Sequence, residues 1–152
     1  MQSDGFPTSA ASARDQLSGL LAGLLDKAPG TTRALLASGD GLKLAWTEQS
    51  IDDADNLAAV ISGLYSLGRQ QFKDMSGGIR QVVVEHDGGS LFVMSAGVEF
   101  QDDRAVNTVL AVVATPTADP GQVGYVMEIF IRGLDEHLVV AARPNSYSGQ
   151  GL

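Results

Sequence analysis

The sequence predicts an α/β domain with the order helix, two strands, helix, three strands, helix. Three observations carry this. Ile51 to Lys73 holds apolar residues at helical period over a length too great for a strand. Two turn signals, Ser38-Gly39-Asp40-Gly41 and Asp87-Gly88-Gly89, each join strand-like segments as a tight hairpin does. Leu91 to Ala96 and Thr108 to Ala114 are apolar on both faces, as expected of strands in the middle of a sheet.

Each element follows in order. Met1 to Ala11 is polar, with Gly5 and Pro7, and is expected to be a tail. Ser12 is expected to cap a helix running to Lys27, with Asp15 three residues on as its capping-box partner. Leu17, Leu20, Leu21, Leu24 and Leu25 give that helix a narrow apolar stripe, and Pro29-Gly30 stops it. Thr32 to Ala37 is the first strand. Leu42 to Thr47 is the second, with Leu42, Leu44 and Trp46 on one face and Lys43, Ala45 and Thr47 on the other, so one face of the hairpin should be buried. Ile79 to His86 is the third strand, with Arg80, Val82, Val84 and His86 on one side and Gln81, Val83 and Glu85 on the other. Leu91 to Ala96 and Thr108 to Ala114 are the fourth and fifth, separated by an acidic stretch, Gly97 to Asn107. Asp119 caps a last helix with Pro120 at its first position, and Val123, Met127, Phe130, Leu134 and Leu138 form its buried stripe. Arg143-Pro144 ends it. One domain over residues 12–144 is expected, between tails at 1–11 and 145–152.

The long middle helix organises the rest. Asp52 is placed to cap it, and Asp53 and Asp55 favour its positive end. Leu57, Val60, Ile61, Leu64, Leu67 and Phe72 form the expected buried stripe. A second face is built of small residues: Ala58, Ala59, Ser62, Gly63 and Ser66. Glycine inside a helix costs about 1 kcal/mol against alanine, so Gly63 and Gly68 ask for a packing reason. Either the small face packs on this chain's own elements, or it packs on the same helix of a second subunit.

Composition excludes several classes. The 152 residues carry 18 acidic against 10 basic side chains, a net charge of −8. This opposes nucleic-acid binding and docking on anionic lipid, which both begin with a basic surface. There is no cysteine, which removes disulfides, thiol catalysis and Cys-based metal sites. A hydrophobic content of 44 % supplies a core without such staples. The N-terminus lacks a basic stretch followed by an apolar one, and no apolar run reaches membrane-spanning length, so a soluble, cytoplasmic chain is expected.

No chemistry is spelled out either. There is no phosphate loop ending in Gly-Lys-Ser/Thr and no Gly-x-Ser-x-Gly elbow. His86 and His137 lie far apart in sequence, and neither has a partner at ligand spacing. Asp52, Asp53 and Asp55 are explained by capping, and Glu99, Asp102 and Asp103 by a solvated loop. Trp46 alternates with leucines and reads as core. Arg69 and Arg80 are the cations to watch. Both can border one surface, as an arginine finger for a nucleotide or, more simply, as surface ion pairs. No catalytic residue, metal ligand or cofactor site is therefore assigned, and an interaction module is expected rather than an enzyme.

The wording of several segments then carries a resemblance. ALLASGDGLKLAW over the hairpin, DDADNLAAVISGLYSLGRQ on the long helix, IRQVVVEHDGGSLFVMSAG over the third and fourth strands and GYVMEIFIRGLDEHL on the last helix resemble the roadblock / dynein light-chain family, in particular its bacterial, actinobacterial branch. The resemblance spans about Leu17 to Ala142 and departs from the family in the acidic 97–107 stretch, which looks longer than usual.

The resemblance implies an α/β sandwich of the profilin/roadblock kind, its five-stranded antiparallel sheet in the order 2-1-5-4-3 flanked by three helices (αββαβββα). It further implies a homodimer in which the long helices lie side by side and the third strands pair, which agrees with the small helix face and with a third strand left at a sheet edge. Ala59, Ser62, Gly63, Ser66, Gln70, Gln81, Val83 and Glu85 are the interface residues expected on this reading, with Arg69 and Arg80 on a partner surface. The function implied is non-enzymatic regulation or scaffolding of a small Ras-like GTPase, with a histidine-kinase-like membrane protein as a further implied partner. In this family a gliding-motility relative acts as a GTPase activator. The alternative is a small-ligand sensor or general interaction module on the same fold, which would show an apolar pocket between the sheet and the first or last helix.

Overall fold

The computed structural model describes residues 8–96 and 108–134. The chain runs through α1 (Thr8–Lys27), β1 (Thr31–Ala37), β2 (Lys43–Trp46), α2 (Ile51–Gln71), β3 (Val82–His86), β4 (Gly89–Ser95) and β5 (Val109–Ala114). A last helix, α3, begins at residue 120 and is described to 134. The strands form one antiparallel sheet in the order β2-β1-β5-β4-β3, as the resemblance implied.

The sheet has helices on both faces. Alternation in the central strands sends Leu36, Phe92, Met94, Leu110 and Val112 to one side, where Leu21 and Leu24 of α1 and Val123, Met127 and Leu134 of α3 meet them. Leu35, Val93, Val109 and Ala111 point the other way, against Ala54, Leu57, Ala58, Ile61 and Tyr65 of α2. This is why β4 and β5 are apolar on both faces: each lies under helices on both sides. Each large side chain buried here stabilises the fold by about 1.5–3 kcal/mol.

Two turns rest on glycine. Gly30, at φ +90°, ends the crossing from α1 to β1, and a Cβ there would lie 2.9 Å from the Ala118 Cα. Gly89 opens β4 where a Cβ would lie 2.7 Å from the Ala114 carbonyl oxygen of β5.

Several local expectations are corrected. α1 begins at Thr8, so Ser12 is an interior helical residue and not the cap. α2 is capped by Ser50, whose hydroxyl accepts from the Asp53 N–H at 3.0 Å, and Asp52 lies within the first turn. A hydroxyl one residue before the helix satisfies the orphan N–H with ordinary cap geometry, leaving Asp52 and Asp53 to complement the helix end electrostatically. β3 starts at Val82, so residues 79–81 lie outside the ladder.

The face of β2 is inverted. Ala45 and Thr47 are buried, while Leu42 is 64 % exposed and Leu44 is also exposed. Ala45 lies in the α1-side core, and the Thr47 hydroxyl donates to the Ala34 carbonyl and accepts the Ala34 N–H, extending the β1–β2 contact through a side chain. Trp46 is half-buried against the α2-side core, with the Arg14 and Lys43 cations 5.4 and 5.2 Å from its ring centre. α3 opens as expected, with the Gly121 N–H donating to the Asp119 carboxylate at 3.1 Å. Leu138 and the end of this helix lie outside the described residues.

Candidate functional site

The site is built on the half of α2 that the sheet leaves open. α2 buries Ala54, Leu57, Ala58, Ile61, Ser62 and Tyr65. The expected apolar stripe is therefore split. Leu57 and Ile61 go inward and Leu64 packs at the border, but Val60 is 42 %, Leu67 70 % and Phe72 53 % exposed. The small face is split as well. Ala58 and Ser62 sit on the sheet side, while Ala59, Gly63 and Ser66 are exposed.

The physical reason is helical period: the buried positions 54, 57, 58, 61, 62 and 65 recur at i, i+3, i+4, i+7, i+8 and i+11 and form one face, from which Val60 and Leu67 are rotated away. Ser62 is the interface candidate that the structure places elsewhere: it is buried in its own chain and its hydroxyl donates to the Ser38 carbonyl at 3.1 Å. The two helix glycines differ. A Cβ on Gly68 would touch Ile79 at 3.4 Å, so Gly68 has a neighbour within the chain. A Cβ on Gly63 would meet nothing within 4 Å. Within one chain, no described residue accounts for glycine at 63.

Beside this face lies β3. Among the described residues it pairs only with β4 and forms one edge of the sheet. Gln81, Val83 and Glu85 are exposed on the side away from α2, and Val84 is exposed towards it. The opposite edge, β2, is short, shifts register between Lys43 and Ala45 opposite Leu36 and Ala37 of β1, and carries Lys43 in an ion pair with Asp55 of α2. Such devices blunt an edge against further pairing.

A cleft of about 890 Å³ opens where the end of α2 meets residues 72–81. Arg69 and Arg80 both line it, so the structure brings together the two cations singled out in the sequence. Arg69 lies with its guanidinium 5.9 Å from the Tyr65 ring centre, along one wall. Lys73 adds a third cation, and Phe72, Met75 and Ile79 supply an apolar lining. Lys73 and Met75 carry no sequence signal for a site, since Lys73 closes the predicted helical stretch and Met75 follows it, and the apolar period places Phe72 in the buried stripe. The available signal was the turn Ser76-Gly77-Gly78, which folds these residues back beside Arg80.

The remaining candidates stay apart. The His86 ring accepts the Gly88 N–H through Nδ1 at 2.9 Å, inside its own turn. His137, Glu99, Asp102 and Asp103 lie outside the described residues. Among the described residues no three His, Asp or Glu side chains converge as metal ligands, and no helix is long and apolar enough to cross a membrane. The arrangement offers surfaces for a macromolecule: an apolar helix face, an unpaired strand edge and a basic cleft along their border.

The fold has known counterparts. The family model for the Roadblock/LC7 domain matches residues 4–114. A roadblock/LC7 domain from Streptomyces avermitilis is 40 % identical and superposes with a TM-score of 0.71, covering 80 % of this chain and 97 % of that one. A second structure of such a domain from the same organism is 31 % identical with a TM-score of 0.60, covering 78 % and 97 %. The gliding protein MglB of Thermus thermophilus, at 21 % identity and a TM-score of 0.68 over 82 % and 90 % of the two chains, shares the fold. The chain matches no curated protein sequence. With most of its length matched and its sheet order the expected one, the chain belongs to the Roadblock/LC7 domain family.

Proposed function

We propose that this chain is a cytoplasmic, non-enzymatic homodimer that regulates or scaffolds a small Ras-like GTPase. The open face of α2 supports this most directly. Val60 and Leu67 are left in solvent on either side of a Gly63 that has no partner within the chain. A second α2 laid against that face would bury the apolar side chains, and Gly63 would permit close backbone contact. Ala59, Gly63, Ser66 and Gln70 would form the helix side of this interface. Gln81, Val83 and Glu85 would carry it across the β3 edge.

Membership of the family supports a GTPase as the client. Arg69 and Arg80 would then face the partner from the cleft beside the dimer seam. Regulation would be geometric: the composite surface shifts a GTPase between states only as far as it binds one state better than the other. The alternative of a small-ligand sensor called for an apolar pocket between the sheet and α1 or α3. The cleft described above lies instead on the α2 side, beside residues 72–81.

The test is solution mass by light scattering over a dilution series, for wild type and Gly63→Leu. Leucine is a better helix former than glycine and has open space at this position, so the protomer should keep its fold. A wild-type dimer that Gly63→Leu dissociates, and that alters GTP turnover of a small GTPase at stoichiometric ratio, is the expected result. A wild type that remains monomeric at high concentration would end the homodimer reading.

A further inference from the structure

The turn between β3 and β4 holds Asp87 and Gly88 between the paired residues His86 and Gly89. Asp-Gly is a chemically weak step in a chain. The glycine nitrogen, with no side chain beside it, can attack the aspartate side-chain carbonyl carbon and close a five-membered imide. The sequence has three such steps, at Asp4, Asp40 and Asp87. Asp4 lies outside the described residues. The other two sit in hairpin turns, and their surroundings differ.

At Asp40 both reacting groups are held. The Ser38 hydroxyl donates to the Asp40 carboxylate, and the Gly41 N–H donates to the Ser38 carbonyl at 3.0 Å. A carbonyl oxygen is too weak a base to take that proton. At Asp87 the Gly88 N–H donates to His86 Nδ1 at 2.9 Å. A ring nitrogen that accepts a hydrogen bond carries no proton, so it can take one. The distance is within the reach that a general base requires. The ring leans over the glycine, where a Cβ would lie 3.3 Å from Nδ1. His86, Asp87 and Gly88 are all exposed, so water reaches them. The Asp87 carboxylate has no partner among the described residues.

We propose that Asp87-Gly88 is a site of spontaneous aspartate isomerisation, with His86 as its built-in base. The Gly88 nitrogen bonds to Cγ of the protonated Asp87 carboxyl while its proton passes to His86 Nδ1. The Cγ–OH bond breaks, and the hydroxide leaves with that proton as water. A second water then opens the imide. Opening at the Asp87 main-chain carbonyl leaves the chain running through Cβ and Cγ, with an α-carboxylate beside it. One water is lost and one gained, so mass and charge are unchanged. The product adds a backbone atom to a turn whose length sets the register of β3 on β4. The inference does not depend on the homodimer reading.

The test uses the full chain. Folded wild type is held for several weeks at neutral pH and digested, and isomeric peptides of equal mass are separated by chromatography. Asp87 should convert at least about threefold faster than Asp40, a small gain for general-base help. His86→Gln keeps a polar side chain at this exposed strand end and removes the base. It should bring Asp87 down to about the rate of Asp40. Asp40 itself should be unchanged, which reports an intact hairpin elsewhere in the same sample. In guanidinium chloride, where the turn is gone, His86→Gln should leave the Asp87 rate as it was.

A folded Asp87 that converts no faster than Asp40 would overturn the proposal, as would one that keeps its rate in the His86→Gln chain. Equal slowing by His86→Gln in the folded and denatured chains would also overturn it, since the effect would then belong to the neighbouring residue type and not to the turn.

Discussion

The inward and outward sides of α2 carry the same kinds of residue and do opposite things. Ile61 is fully buried against the sheet, and Leu67, also aliphatic, is 70 % exposed. Ser62 is polar and turned inward, donating to the Ser38 carbonyl, while Gly63 beside it faces open space. Neither hydrophobicity nor size therefore says which side of this helix meets its own sheet: Leu57, Ile61 and Tyr65 lie inward with Ala54 and Ala58, and Val60 and Leu67 lie outward with Ala59 and Gly63.

This contrast can be broken at single positions. Ile61→Ala leaves a void in the α2-side core and should lower protomer stability by about 2–4 kcal/mol in a urea titration. Leu67→Ala, chemically similar, should change it by no more than about 0.5 kcal/mol at dilutions where the chain is monomeric. An equal loss at both sites would mean that α2 is not placed as described. Removing the inward hydroxyl by Ser62→Ala should cost about 1 kcal/mol, through the lost bond to the hairpin. The cap has a similar weight: Ser50→Ala should cost about 1 kcal/mol and Asp52→Ala less, read as midpoint shifts in the same titration. Smallest, and of opposite sign, Gly63→Ala should stabilise the dilute protomer by up to about 1 kcal/mol, because a helix gains from the change and no neighbour resists it. A destabilised Gly63→Ala protomer would place an unseen neighbour over that glycine.

Much of the architecture was legible because it rests on local signals. Turn glycines placed both hairpins, the double apolar runs of β4 and β5 marked the sheet centre, and Asp119-Pro120 marked the start of α3. The strand order came from the resemblance to a family. The misplaced details share one cause. Ser12, Asp52, the Leu42–Trp46 face and the α2 stripe were each assigned by a pattern that tells two faces or two nearby caps apart only weakly. For β2 the competing periodicity was real, since leucines do alternate with Ala45 and Thr47. The candidate site was partly legible: Arg69 and Arg80 stood out, but Lys73, Phe72 and Met75 join them only once residues 72–81 fold back.

Local chemistry thus settled which segments are helices and strands and where they turn, and the sequence holds no cysteine. Periodicity and turn stereochemistry act over a few residues, within reach of any reader of the chain. Which face of β2 is covered, which half of α2 stays open and which cations share a cleft depend on contacts between segments far apart in sequence. A helix can present apolar residues on two sides; which of them is buried is decided by how the helix settles on the sheet, and the other is left as surface.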